Sequence, residues 1–470
     1  MSRSNASLIP WSSSGRDTAA VTDTHHDRDG LTGQTVELLQ TLIRNECVND
    51  GTPGSGHETR SVDVLQSYLE GPGIATQRYE PTPGRASLVA RIEGTDPDAP
   101  SVCLMGHTDV VPANPDSWTR DPFGGELVDG EVWGRGAVDM LNLTASMAVA
   151  VREMVRRGFR PRGDLIYFAV ADEESGSAHG AQWMADHATD AIRCDYLLTE
   201  SGGVHSGSSD APFVGVNVGE KGVAWRKLRV RGTPGHGSAP YRSDNALVKA
   251  AAVIQRLTAY APEPRVHEMW RQQVDSFQLG DDATAALLDP ARIDDAIASM
   301  PLGLGRHLHA CSHTTFSCNL VEGPMKHNTI PGAIDIGVDV RTLPGEDGAD
   351  VARHLREALG ELADEVEVEI VMNDPASISR TDNPMWDALQ RGVTRQFPTA
   401  RLVPQMMVGF TDARIFRRLG SVAYGTGLFS PDLDAGDYGS RFHGNDERID
   451  VESLRLTTQF WLDVVGDVLG

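Results

Sequence analysis

The sequence predicts an α/β protein: a mostly parallel-sheet catalytic domain with helices on both faces, interrupted by an inserted ferredoxin-like α+β domain. Two patterns carry this reading. Up to about residue 215, short apolar runs such as SVCLM (101–105) and LIYFAV (165–170) alternate with helical stretches, which implies an α/β domain with a largely parallel sheet. Between about 216 and 373 the strands alternate strictly instead. In AIDIGVDVR, Ile334, Ile336, Val338 and Val340 face one way, as expected of a sheet covered on one face only. After about 374 the first pattern returns, with RLVPQMMV and SVAYG as strands, so the smaller domain interrupts the larger.

In chain order, residues 1–31, rich in Ser, Thr, Asp and Arg, lack sustained periodicity and are read as a disordered tail. The first catalytic segment spans 32–215. It opens with TVELLQTLI, where Val36, Leu39, Leu42 and Ile43 recur at helical spacing. A helix near 143–157 carries the stripe Leu143, Met147, Val151, Met154 and Val155, and Gly158 is placed to end it. The inserted domain, 216–373, reads as strand 224–231, helix 244–259, strand 314–321, strand 333–341, helix 348–362 and strand 365–372. That order is β-α-β-β-α-β, with 260–313 as a helical insertion. In EVEVEIVM, Val366, Val368, Ile370 and Met372 share a face opposite the glutamates. Residues 374–470 complete the catalytic domain.

The 470 residues carry 42 basic and 66 acidic side chains, a net charge of −24. That balance disfavours electrostatic binding to nucleic acid or anionic membrane. There is no run of 18 apolar residues and no apolar signal core in the first 30, so a cytoplasmic protein is expected. Five scattered cysteines suit reduced thiols better than a disulfide framework.

Three polar clusters follow directly behind predicted strands: GHTD at 106–109, DEE at 172–174, and Glu200 after DYLLT. In an open parallel sheet the carboxyl ends of the strands border the ligand crevice, so these clusters can converge. Asp139 in WGRGAVDM precedes a helix, and His443 sits in RFHGNDERI near the C-terminus. Imidazole and carboxylate are ligand types for zinc or a similar divalent metal. Two ions roughly 3.5–4 Å apart need a shared bridging ligand. Taken singly, each residue has a plainer reading: a structural histidine, a helix cap at Asp139, a solvated charge at Glu200, a surface acidic run at DEE.

The motifs GHTDVVPA, SWTRDPFGGELVDGEVWGRGAVDM, ADEESGS, GTPGHGSAP and HNTIPG resemble, in order and spacing, the dinuclear zinc amidohydrolases that include aminoacylase, succinyl-diaminopimelate desuccinylase, carboxypeptidase G and related dipeptidases. The resemblance covers about 35–465. It implies that His107 and Glu200 bind one Zn2+, that Glu174 and His443 bind the other, and that Asp139 bridges them, with Co2+ or Mn2+ as substitutes. It further implies that Asp109 holds the His107 imidazole and that Glu173 is the general base. His236, in the lid, would stabilise the oxyanion, reaching the partner subunit's site in many relatives. Arg341 would bind a substrate carboxylate, with an ion pair to Asp339 or Asp335 as the plainer reading, and Asn328 would orient the substrate. In relatives a cis peptide follows the aspartate matching Asp139. This chain departs at Asp139-Met140-Leu141-Asn142, where relatives usually read Asp-Met-Lys-Gly.

The resulting expectation is a metal-dependent hydrolase cleaving an amide or peptide bond in a small, carboxylate-bearing molecule or short peptide through a zinc-bridging hydroxide. A dipeptidase or carboxypeptidase is one form, and an N-acyl-amino-acid amidohydrolase the alternative. The inserted segment would be the lid and homodimerisation domain. A non-catalytic binding protein on the same fold is the reading from another class.

Overall fold

A computed structural model describes residues 30–208, 210–323 and 326–470; most of the segment read as a tail lies outside them. The first described helix is Leu31–Arg44.

The larger part is built on a ten-stranded sheet. Its centre is parallel: Leu165–Val170, Val102–His107, Tyr196–Thr199 and Val422–Gly425 lie side by side. Antiparallel pairs flank it, Ala75–Thr82 with Arg85–Ile92 on one side and Ala211–Glu220 with Gly202–Ser208 on the other. The strand Val102–His107 shows why its run is wholly apolar. Val102 and Leu104 enter the core formed with the helices Leu31–Arg44, Leu141–Arg156 and Val451–Leu469, whereas Cys103 and Met105 enter a second core with Met184, Ile415 and Phe416. Neither face meets water.

The helix Leu141–Arg156 is buried well beyond the predicted stripe, Ala145, Ala148, Val149 and Ala150 included. It is wedged between two other helices and the sheet, so its small residues serve as contact surface too. Gly106 permits this approach, since a Cβ there would stand 2.3 Å from Thr144 Oγ1.

In the smaller sheet the order is Thr315–Glu322, Ala333–Thr342, Arg226–Arg231, Val366–Ile370, antiparallel throughout. With the helices Ala246–Ala259 and Gly348–Leu359 this is the ferredoxin-like arrangement. Leu228, Val230, Ile334, Ile336, Val338 and Val340 pack under those helices. The opposite face bears ion pairs, Arg229 with Asp335 at 2.6 Å and Lys227 with Glu369 at 2.6 Å. Val368 and Ile370 share a face with Val366 but are exposed, because their edge strand runs past the cover of the helices. The excursion 260–313 forms four helices. Trp270, Val274, Leu287, Ile293 and Leu308 join the core of the larger sheet, and the helix Glu268–Ser276 packs on the strand Arg401–Met407. The excursion thereby shields that strand, which would otherwise be an exposed edge. Among the described residues, no helix is long and apolar enough to cross a membrane.

Candidate active site

His107 ends its strand with its backbone oxygen bonded by Thr144 Oγ1 at 2.8 Å. Its Nδ1 lies 2.8 Å from the Asp109 carbonyl. A carbonyl can only accept, so Nδ1 donates to it and the ring is turned with Nε2 facing inward. There Nε2 lies 3.1 Å from Asp139 Oδ1 and 3.9 Å from Glu200 Oε2. On the other side, His443 Nε2 is 3.2 Å from both Asp139 Oδ2 and Glu174 Oε2. Asp139 therefore stands between two imidazoles.

Two overlapping sets offer ligand atoms within 4.8 Å of one another: His107, Glu173 and Glu200, and His107, Asp139 and Glu174. Burial, and then the charge of Glu200, push the Glu173 carboxyl well above its ordinary value. Burial followed by the charge of Asp139 does the same to Glu200 and raises Glu174. Burial lowers the proton affinity of His107, but the Asp139 hydrogen bond and the Glu200 charge more than reverse it. His443 is pushed up to about 10 by its bonds to Asp139 and Glu174. So much negative charge in one buried place calls for cations. Glu174 Oε1 is buried with no hydrogen-bond partner, an uncompensated acceptor that a divalent metal would satisfy. The donor set of imidazoles and carboxylates fits such an ion.

Further residues hold these groups. Asp109 accepts the backbone N–H of Glu173 at 3.3 Å and of Glu174 at 3.2 Å, and Asn49 Nδ2 at 2.8 Å. Its carboxylate is 3.7 Å from His107 Nδ1, so the backbone carbonyl is the nearer partner of the ring. Asp172 adopts a left-handed backbone, φ 68°, and takes Arg85 Nη2 at 2.6 Å and the His179 N–H at 2.8 Å. Glu447 accepts the N–H groups of Gly136, Val138 and Asp139 at 3.0, 2.7 and 2.9 Å, and Arg135 Nη1 at 2.8 Å. This fixes the turn carrying Asp139, whose peptide bond to Met140 is cis. Ser177 donates to Asp412, which burial pushes up to about 6. Asn49, Arg85, Arg135, Asp412 and Glu447 were not foreseen from sequence.

The lid candidates lie apart. His236 pairs with Thr329 in a short ribbon, is exposed, and bonds through Nδ1 with Ser238 Oγ at 2.7 Å. The carbonyl of Asn328, also exposed, accepts the Gly237 N–H at 2.8 Å. Among the described residues, no hydrogen bond or ion pair joins either to the metal cluster. Arg341 forms a two-pronged pair with Asp339 at 2.8 and 3.1 Å, while Asp335 is taken by Arg229. It also stands 5.3 Å over the ring of Phe410, at the junction with the larger domain.

Fold and cluster together define a metal-dependent amide hydrolase. A family model described as Peptidase family M20/M25/M40 matches residues 103–467, and the chain belongs to that family. It is 28% identical over 393 residues to a protein of Dictyostelium discoideum described as probable carboxypeptidase S-like 2, covering 81% of this chain and 74% of that one. It is likewise 28% identical over 396 residues to an N-fatty-acyl-amino acid synthase/hydrolase of Xenopus tropicalis, covering 81% and 75%. Among solved structures, an M20 family metallo-carboxypeptidase from Sulfolobus solfataricus superposes with a TM-score of 0.71 at 16% identity, covering 93% of this chain and 99% of the other.

Proposed function

We propose that this chain cleaves the amide or peptide bond of a small, carboxylate-bearing substrate, acting as a dipeptidase or carboxypeptidase. The supporting observation is the convergence of His107, Asp139, Glu173, Glu174, Glu200 and His443 from separate segments onto one buried, anionic place. In this reading His107 with Glu200, and Glu174 with His443, would hold two Zn2+ ions, replaceable by Co2+ or Mn2+, and Asp139 would be shared between the two sets. When bound, such a pair lowers the pKa of a water and polarises a carbonyl.

Glu173 takes the proton of the attacking water and later delivers it to the leaving amine. Its burial beside Glu200, which raises its proton affinity, suits that task. Asp109 positions the Glu173–Glu174 turn through its two amide contacts and His107 through its carbonyl. Arg341 takes the substrate carboxylate, Asn328 orients the substrate, and His236 stabilises the oxyanion from the partner subunit of a homodimer formed through the lid. The exposure of His236, together with the exposed Leu247 and Val248 on the lid helix, supports that last assignment. Free thiols, four of them buried, support a cytoplasmic location.

The N-acyl-amino-acid amidohydrolase reading is retained because the Xenopus relative, a hydrolase of that type by name, is as similar as the carboxypeptidase-like one. A hydrolysis screen of the zinc-loaded protein against dipeptides and N-acetyl and N-succinyl amino acids, read by released amine, separates the two. Dipeptide turnover supports the first reading. Turnover confined to acylated amino acids replaces it with the second.

A further inference from the structure

We infer that the uncovered face of the lid sheet carries a pocket for a large apolar side chain, borne by the same substrate residue whose carboxylate reaches Arg341. The inference rests on the amide-hydrolase reading above. A cavity of about 430 Å³ opens on this face, a size usual for small-molecule sites. Gly337 forms its floor. A Cβ there would come within 2.9 Å of Leu320 Cβ, so Leu320 lies directly across the glycine. Trp225 and Val371 supply further apolar walls.

This face bears ion pairs, Arg229 with Asp335, Arg231 with Glu367 and Lys227 with Glu369, and Asp335 and Lys227 of these pairs also line the pocket. Between these charged side chains Leu320 and Val371, the apolar part of the lining with Trp225, stand 63% and 57% exposed. Hydrogen bonds lead from the pocket wall to Arg341, which lies beyond the lining, and this link identifies the occupant. Trp225 Nε1 donates to Asp339 Oδ1 at 3.0 Å, and the same oxygen accepts Arg341 Nε at 2.8 Å. Arg341 Nη1 is buried without a hydrogen-bond partner, an orphan cationic donor. A carboxylate attached to an apolar group satisfies donor and cavity together.

Two contacts lead from the pocket wall towards the larger domain and its acidic turn. The rings of Trp225 and Phe410 are 6.4 Å apart. Val371 precedes Met372, whose Cε would lie 3.8 Å from a Cβ on Gly176, two residues beyond Glu174.

The test compares kcat/KM for glycyl and N-acetyl substrates ending in Gly, Ala, Leu or Phe, using metal-loaded wild type and a L320S/V371S variant. The readout is the Leu-to-Gly or Phe-to-Gly ratio within one preparation, so inactive protein cancels. Wild type should favour Leu and Phe over Gly by about 10- to 200-fold, and the variant ratio should fall towards unity. A flat wild-type series, or a preference that survives the variant, overturns the pocket while leaving hydrolysis intact. A preference that follows only the length of the acyl group overturns it as well, because the apolar contact would then lie on the other side of the cut bond. Absence of turnover on every substrate would instead overturn the underlying reading, and the inference with it.

Discussion

Arg85 Nη2 lies 2.6 Å from Asp172 Oδ1 and 2.7 Å from Glu58 Oε1, and all three side chains are buried. This relationship explains the first of the three consecutive carboxylates. The Asp172 carboxylate is taken by Arg85, Asn49 and the His179 N–H, which anchors the left-handed residue from which the Glu173–Glu174 turn departs. Burial and the charge of Asp109 push Glu58 up to about 8 despite Arg85, so Asp172 is the chief anionic partner. Replacing Arg85 by Leu strands that buried charge and should cost roughly 3–5 kcal/mol of stability. Denaturant titration measures this; a loss under about 1 kcal/mol would show that the pair does not hold the turn.

Asp109 works chiefly through its carboxylate on the amides of Glu173 and Glu174, while its carbonyl serves His107. Asp109→Asn keeps the carbonyl and weakens the acceptor. Metal affinity should fall by about 10- to 100-fold, as is usual when an outer hydrogen-bond partner is lost. Competition with a metal-sensitive chelator reports it, and an unchanged affinity would remove Asp109 from the support of the site.

Lys221 is buried, with Nζ donating to the carbonyls of Ala310 and His313 at 2.7 and 2.6 Å. It thereby caps the C-terminal end of the insertion helix Leu302–Ser312. Burial pulls its pKa from the ordinary 10.5 down to about 7. The folded-state value is the lower one, so between about 7 and 10.5 the unfolded chain binds the extra proton. Lys221's contribution to stability therefore rises with pH through that window, by at most about 1.4 kcal/mol per pH unit, and is at its lowest below it. The difference in unfolding free energy between wild type and Lys221→Met, followed from pH 6 to 9, should grow in favour of wild type as pH rises. A flat difference would mean that Lys221 is not desolvated as the structure implies.

What the sequence made legible follows from where each signal is written. His107, Glu173, Glu174 and Glu200 each stand behind an apolar run, and in a parallel sheet that position alone places them on one rim. The alternation in AIDIGVDVR likewise specifies which face of Ile334–Val340 is buried. Asn49, Arg85 and Glu58 carry no such local mark. They reach Asp109 and Asp172 only through long-range pairing, for example the Asn49 N–H on the Val110 carbonyl at 2.9 Å. Glu447 is four residues from His443, but among Asn445, Asp446 and Arg448 it reads as a solvated turn charge, although it is fully buried. The exposure of Val368 and Ile370 depends on where two helices end, and the core joined by the insertion helices depends on tertiary docking. Periodicity reports neither.

The proposed function turns on a division of labour within the acidic turn, in which Glu174 would hold metal and Glu173 would move protons. Its most direct test is metal content and kcat measured side by side on Glu173→Ala. The variant should bind two metal equivalents, as wild type should, with kcat lower by at least about 10²–10⁴-fold. Turnover retained at the wild-type rate would contradict it.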